Sequence, residues 1–411
     1  MRYALVIGDG MADNPVPQLD GKTPLQFAKI PTMDKLASAG ILGSVQTIPD
    51  GMPAGSDTAI LSIFGCDPRT CFAGRAPLEA AAQNISLSPG DAAYRCNMVA
   101  LEDSEATFES KKILSHSAGA IEGMESDALI VDLFSNPLFK EKADKAGIRV
   151  YPGSSFRHIA VQETPDITGI ILTPPHDHIG EELGQHLPRG CANAIVLEDL
   201  MRLAHEILDC HPLNIKRRAE GKLPGNGIWF WAEGTSVELP NFTNKYKKSG
   251  AVISAVPLCR GIGVLIGCDT ISVEGATGEL HTNYEGKVDA ALEALKTYDF
   301  VTIHIEAPDE CTHNGDTKGK LQAIEWIDSR IVAPLTKRIK ASGEDFRILI
   351  LSDHKTLTSS RAHDGSPVPY IIYDSRIDRK TGLSYCETDA EKGYFIPAGT
   401  ELMDYLFETK I

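Results

Sequence analysis

No two cysteines in this chain stand at CxxC spacing, and no apolar run approaches the ~18 residues that a membrane span needs. The nine cysteines are odd in number and scattered singly, at 66, 71, 96, 191, 210, 259, 268, 311 and 386. That pattern excludes a disulfide framework and a zinc ribbon, and fits reduced, mostly buried and inert thiols. Basic residues are the minority, 40 against 56 acidic for a net charge of -16, which argues against a nucleic-acid or anionic-membrane surface. Any anionic substrate must then be met by a local basic pocket. The amino terminus enters a strand directly, without a charged leader and cleavage site, so a cytoplasmic location is expected.

What is present is ordinary for a globular protein: 42% hydrophobic and 23% charged residues over a length of 411. That length exceeds what one core usually fills, which predicts two domains or one domain with a large insertion.

The chemistry gathers at strand ends. Phe346–Leu351 is an apolar run broken only by Arg347, read as a buried strand, and it stops on Ser352, Asp353 and His354, with His363 nine residues later. Mixed oxygen and nitrogen ligands at a strand's carboxyl end suit Zn or Mn, although a surface turn would carry the same pair. The chain's opening strand, from Arg2, closes on Asp9 between two glycines, which allow a sharp turn and a close approach. A third strand, Tyr298 to Glu306, is followed by Asp309 and His313, four residues apart and therefore able to meet at one ion. A Pro/Gly-rich loop delivers Ser56 to a helix start, where it reads either as an ordinary N-cap or as a hydroxyl beside free N–H groups that favour phosphate or an alkoxide. Thr23-Pro24 opens a helical stretch, and Thr32 reads as the N-cap of a helix ending at Gly40.

From about residue 69 to 247 short strands alternate with helices, at Tyr94–Ala100, Ala128–Asp132, Ile148–Tyr151, His158–Val161 and Gly169–Leu172, a second α/β unit with its own sheet. It holds Arg157-His158, the run His176-Asp177-His178, read as a substrate-facing or structural loop because neighbouring side chains diverge, and Lys216-Arg217-Arg218. That last cluster is either a solvated helix face or, curled inward, a fork for phosphate and carboxylate. Arg260–Gly267 has a glycine-rich look but the wrong spacing for a dinucleotide loop.

Asp9, Asp309, Asp353, His313, His354 and His363 with Ser56 supply three carboxylates, three imidazoles and a hydroxyl, enough for two adjacent metals and an oxygen nucleophile. Gly8-Asp9-Gly10-Met11, Ala54–Ala59 around Ser56, Glu306–Glu310 with His313, Ser352-Asp353-His354, and His363 with Pro367-Val368-Pro369 together resemble the archaeal-type cofactor-independent phosphoglycerate mutases of the alkaline phosphatase superfamily. The resemblance runs through the chain in order. It implies an α/β fold: a parallel-sheet core sandwiched by helices, built from 1–68 and 248–411, with 69–247 inserted as a substrate-binding cap. It implies two divalent ions (Mn, Mg or Zn), one held by Asp309, His313 and His363, the other by Asp9, Ser56, Asp353 and His354, and no 2,3-bisphosphoglycerate. Ser56 would take the phosphoryl group and return it to the neighbouring hydroxyl of glycerate, while Arg157, His158, Arg217, Arg218 and Lys287 bind the substrate. A sister branch implies the alternative of a homoserine kinase-like phosphotransferase. The expected partner is a small phosphorylated substrate, with neither nucleic acid nor membrane, and self-association is compatible with the chain.

Overall fold

The computed structural model describes residues 1–153 and 155–408. The chain forms two compact units, Met1–Phe72 with Ala81–Gln83 and Glu238–Ile411, and Ala73–Ala80 with Asn84–Val237.

The first unit is organised by three neighbouring strands, Phe346–Leu351, Arg2–Gly8 and Phe300–Ile305. Apart from Arg2 their residues are all buried, including Arg347, because helices cover both faces, as parallel sheets require. Arg347 is accommodated by Asp374, whose Oδ2 accepts from its Nε at 2.7 Å, and by the carbonyls of Leu406 and Phe407. The full sheet has eight strands in the order Tyr394–Ile396, Ile41–Val45, Val368–Asp374, Phe346–Leu351, Arg2–Gly8, Phe300–Ile305, Gly250–Ile253 and Asp269–Ile271. Only Val368–Asp374 runs against its neighbours. Strand register sets where the site forms: Ile7 lies beside Leu351 and Gly8 beside Ile305, so three carboxyl ends finish level. Asp9, Asp353 and the Glu306–His313 segment therefore leave the sheet together, at the carboxyl ends of its central strands.

Local chemistry explains the flanking helices. Thr23 and Gln26 form a reciprocal capping box at Pro24–Phe27. The next helix, Pro31–Ala39, is capped differently from the expectation that Thr32 serves: Ile30 is the N-cap, and the buried carboxylate of Asp328 accepts from Thr32 N at 3.3 Å and Met33 N at 2.7 Å. Asp328 sits in a π-helical turn, Ile327–Val332, between two α-helices. Pro334 comes directly after, and its ring and missing N–H oppose a regular α-turn, so a widened turn is the natural accommodation. The glycine-rich Arg260–Gly263 stretch lies inside the helix Pro257–Leu265, where a Cβ on Gly263 would press Val252 at 3.0 Å.

The second unit centres on Ala92–Leu101, which pairs antiparallel with Ile113–Ser115, Arg157–Gln162 and Gly227–Thr235, while Ile148–Tyr151 pairs antiparallel with Arg157–Gln162. Its sheet is therefore antiparallel throughout, packed against the helices Gly123–Ser135 and Ala192–Asp209. Two expected strands are absent from it. Ala128–Asp132 lies within the helix Gly123–Ser135, whose buried Ser126, Leu129, Ile130 and Leu133 obey the helical period, a distinction that a short apolar run does not reveal. Gly169–Leu172 makes only an isolated bridge, Ile171 to Arg189.

All nine cysteines are free and seven are buried. Burial pushes the thiols of Cys66, Cys259 and Cys268 up to about 12, which keeps them protonated and unreactive. No helix among the described residues is long and apolar enough to cross a membrane.

Candidate metal centre

Asp9 leaves its strand with its N–H still bonded to Ile305 O at 2.9 Å, and its side chain is buried. The next residue must be glycine on two counts. Gly10 has φ +61°, and a Cβ there would collide with Thr356 Oγ1 and meet Asp309 Oδ1 at 2.9 Å. The close approach lets Gly10 N donate to Asp353 Oδ1 at 3.2 Å, an oxygen that also accepts from His354 N at 2.9 Å.

Ser56 is the first residue of the helix Ser56–Ile63, not its cap; Gly55 occupies the cap position and no side chain caps the end. Its hydroxyl is consequently free to face the strand ends. Ser56 Oγ donates to Asp9 Oδ2 at 3.2 Å and lies 3.0 Å from His354 Nε2.

Asp309 and His313 share a face of the short helix Ala307–His313, with His313 Nε2 3.2 Å from Asp309 Oδ2. His363 Nε2 is 3.5 Å from Asp309 Oδ1 and 2.9 Å from His313 Nε2. The other nitrogens are held from behind. His313 Nδ1 donates to Arg361 O at 2.8 Å, His363 Nδ1 to Ala54 O at 3.3 Å, and His354 Nδ1 to Lys355 O and Thr356 Oγ1, each at 3.2 Å. With Nδ1 bonded to a carbonyl in each ring, Nε2 is the nitrogen that faces the carboxylates: in His313 and His363 it donates to Asp309 while the ring is protonated, and it would offer its lone pair once that proton gives way to a metal. The carbonyl of Arg361 reaches His313 from a left-handed backbone, φ 58°, unusual for a long side chain.

The electrostatics of this cluster call for cations. Burial, then Asp353, Asp309 and Glu306, push the Asp9 carboxyl well above its usual range, since packed carboxylates resist ionising together. Burial acts on Asp309 in the same sense, but hydrogen bonds from His313 and His363 outweigh it and hold its carboxyl far down. Asp9 Oδ1 and Asp353 Oδ2 are buried without a hydrogen-bond partner. Unsatisfied carboxylate oxygens converging with three imidazole nitrogens match the donor chemistry of a divalent metal, and the residues fit such a group.

Three contributors escaped the sequence reading. His304 is buried in a largely apolar strand, its Nε2 3.1 Å from Asp9 Oδ2 and its Nδ1 3.1 Å from Ser254 Oγ, and burial lowers its pKa to about 4, keeping it neutral. Glu306 brings a carboxylate oxygen within 4.8 Å of ligand atoms of Asp9 and His304. Thr356 donates to Asp309 Oδ1 at 2.6 Å while accepting from His354 Nδ1. An imidazole at a buried position of an apolar strand was the one available signal.

The expected substrate-binding residues divide differently. Lys287 is buried and its Nζ donates to His304 O at 2.9 Å; burial lowers its pKa to about 8, so it supports the strand instead of facing a ligand. His158 is buried too, accepting from Gly153 N at 3.2 Å and lying 2.9 Å from Ser126 Oγ, and burial lowers its pKa to about 4. Arg217, buried, pairs with Glu125 and donates to Leu223 O and Ala118 O at 2.9 and 3.1 Å. Arg218 pairs with Asp209 and reaches Asp209 O at 2.8 Å and Asp103 at 3.4 Å. Both guanidinium groups are thus engaged within their own unit. Arg157 differs: exposed, with its guanidinium 4.2 Å above the Phe156 ring, it makes no ion pair among the described residues. Partial burial, then the Arg95 charge, lower its pKa, with Glu79 opposing and Arg75 adding to the shift, so a local cationic group exists despite the acidic chain.

A family model for 2,3-bisphosphoglycerate-independent phosphoglycerate mutase matches residues 37–214. A protein of that name from Methanosarcina acetivorans is 45% identical over 392 residues, covering 95% of each chain. A probable one from Geobacter sulfurreducens is 40% identical, covering 99% of this chain and 100% of its own. Among solved structures, a protein from Pyrococcus horikoshii superposes with a TM-score of 0.80 at 31% identity, covering 98% of this chain and 96% of that one. The cofactor-independent phosphoglycerate mutase of Thermoplasma acidophilum gives 0.62 at 26% identity, covering 99% of each. Aligned over nearly its whole length with such relatives, the chain belongs to the 2,3-bisphosphoglycerate-independent phosphoglycerate mutase family.

Proposed function

We propose that this protein is a metal-dependent isomerase of glycolysis and gluconeogenesis that interconverts 3-phosphoglycerate and 2-phosphoglycerate through a phosphoserine at Ser56. The observation that carries this reading is the Ser56 hydroxyl, uncapped at a helix N-terminus, 3.0 Å from His354 Nε2 and 3.2 Å from Asp9 Oδ2 among partnerless carboxylate oxygens. Relatives spanning nearly the whole chain carry the mutase name, which favours glycerate over homoserine as acceptor.

Asp309, His313 and His363 would hold one divalent ion, and Asp9, Ser56, Asp353 and His354 the other. Bound there, the ions would neutralise the carboxylates, favour the Ser56 alkoxide and screen the phosphoryl oxygens. Ser56 Oγ forms a bond to phosphorus as the bond to one glycerate oxygen breaks, and that oxygen takes up a proton. The second glycerate hydroxyl then loses a proton, attacks the phosphoserine and frees Ser56, so nothing is consumed and neither a phosphate donor nor 2,3-bisphosphoglycerate is required. The positive end of the helix dipole would complement the oxygens of the phosphoserine. Arg157, which makes no ion pair among the described residues, would bind the substrate anion, whereas Arg75 and Arg95 share the Glu79 carboxylate.

Replacing Ser56 with Ala tests this. Turnover should be lost while divalent-metal binding is largely kept, and acid-quenched protein should no longer carry label from phosphate-labelled 3-phosphoglycerate. Isomerase activity near that of the wild type in this variant would rule out passage of the phosphoryl group through Ser56.

A further inference from the structure

Beyond the carboxylate cluster, the described residues hold one other group of metal-type side chains with ligand atoms within 4.8 Å of one another: His178, Glu181 and His186, all in the second unit. Glu181 Oε2 is their common point, 3.2 Å from His178 Nδ1 and 2.8 Å from His186 Nε2. The two imidazoles stack on each other, centroids 3.8 Å apart at 19°. The adjacent pair His176-Asp177 has no part in it, because side chains one residue apart diverge while the chain turns back between 178 and 186.

That turn is built firmly. Two short 3-10 turns, Pro175–His178 and Leu183–Gln185, flank it. The backbone is tied to the edge of the sheet on both sides of Glu181: Gly180 N donates to Ile113 O at 2.7 Å, Ile113 N to Glu181 O at 3.1 Å, and Leu183 N to Lys111 O at 2.9 Å. Thr173 Oγ1 donates to His186 O at 2.9 Å, and His186 N to Leu183 O at 2.8 Å. The three side chains therefore start from a preorganised frame, with His186 mostly buried and Glu181 half-exposed.

We propose that His178, Glu181 and His186 form a transition-metal site of the zinc type, separate from the mutase centre. Tetrahedral zinc with ligands at ~2.0–2.1 Å sets its donor atoms about 3.3 Å apart, close to the 3.2 and 2.8 Å separations here. Binding requires Glu181 to withdraw slightly from His186 and the imidazoles to turn out of their stack so that both in-plane lone pairs meet the ion; the half-exposed Glu181 and partly exposed His178 have room for this. Two neutral imidazoles and one carboxylate leave a fourth position for water. Their nitrogen-rich character selects Zn, Co, Ni or Cu over Mg or Mn, the ions that an oxygen-rich set accepts. The bound ion would clip residues 178–186 into one rigid loop.

The test uses the full-length protein saturated with Mn²⁺, to which Zn²⁺ is added in equilibrium dialysis with Mn²⁺ kept in large excess. Wild type should take up one equivalent of Zn²⁺ beyond what displaces Mn²⁺. His186→Ala and Glu181→Gln should each weaken that uptake by more than about 100-fold, beyond the loss of an outer-shell partner, while Mn²⁺-supported turnover is unchanged. Glu181→Gln changes a half-exposed side chain and keeps the fold, so the comparison holds even if His186→Ala is unstable. Zinc uptake accounted for by displaced Mn²⁺ alone, or equal in wild type and Glu181→Gln, would overturn the proposal.

Discussion

Replacing Thr356 with Val removes one hydroxyl and nothing else of comparable size, and the structure says where the loss falls. Thr356 is fully buried; its N–H bonds to Ala12 O at 3.2 Å, so the backbone keeps its place without the side chain. The hydroxyl is a relay, accepting from His354 Nδ1 at 3.2 Å and donating to Asp309 Oδ1 at 2.6 Å. It therefore orients one member of each expected ligand set. A hydrogen bond to a charged group contributes about 1.5–3 kcal/mol, which corresponds to roughly 10- to 150-fold in an equilibrium constant. Outer-shell partners of metal ligands have effects of ~10–100-fold. His354 retains Lys355 O as a second acceptor, so the larger share of the effect should fall on Asp309 and on the ion that it holds with His313 and His363. The assay is titration of Mn²⁺ into chelator-stripped protein, followed both by metal binding and by recovery of isomerase turnover. Thr356→Val should need about 10- to 100-fold more Mn²⁺ by both readouts, and Thr356→Ser, which restores the hydroxyl, should return most of the affinity. A valine variant that binds Mn²⁺ as tightly as the wild type would refute the assignment of Thr356 as a positioning residue.

Two further outcomes concern the second unit. Glu79 is buried between Arg95 and Arg75; burial raises its carboxyl pKa, but the two guanidinium groups reverse the shift and leave it below the ordinary value. A depressed folded pKa means stability that is present above the unfolded value, roughly 4.3, and is lost as pH falls through the folded one. Glu79→Gln should therefore cost about 1–3 kcal/mol in urea unfolding at pH 7, and the difference from wild type should shrink below about pH 4.3; a pH-independent gap would contradict the ion-pair account. Arg217→Ala leaves Glu125 and two carbonyls without their partner and should destabilise by about 3 kcal/mol while the folded variant keeps its kcat, whereas Arg157→Ala should raise KM for phosphoglycerate with little change in melting temperature. The reverse assignment, an inactive but stable Arg217→Ala, would return that guanidinium to the substrate.

How much of the fold and the site is readable in the sequence depends on whether a signal is local. The strand-end ligands are legible because the central parallel strands are apolar on both faces, so an Asp or His stands out sharply where the run stops. Their convergence is not: it comes from register, Ile7 against Leu351 and Gly8 against Ile305, which no stretch of sequence contains. Ser56 reads as a helix start, yet only the structure distinguishes a cap from a first-turn residue whose hydroxyl faces Asp9 and His354. Partners distant in sequence are illegible throughout. Arg217 resembles a free cation because Glu125 stands 92 residues away, and Thr32 resembles a cap because Asp328 is out of view.

The histidines show the same limit most clearly, and show what a ligand needs besides a side chain. Spacing identifies His313, His354 and His363, but what makes them ligands is the carbonyl or hydroxyl behind each Nδ1, supplied by Arg361, Ala54, Lys355 and Thr356. Those are backbone groups or a threonine, in loops or in the two-residue strand Lys355–Thr356, with no compositional mark. Without them each ring could present either nitrogen, and the lone pairs would not meet at the carboxylates. In the second unit the nearby His176 and His178 draw attention, while the group that converges is spaced three and five residues apart, through Glu181 to His186, around a turn fastened to Lys111 and Ile113. Adjacency in sequence is thus a poor guide to shared ligation outside regular helices, and the hydrogen bonds that hold a turn decide which donors meet.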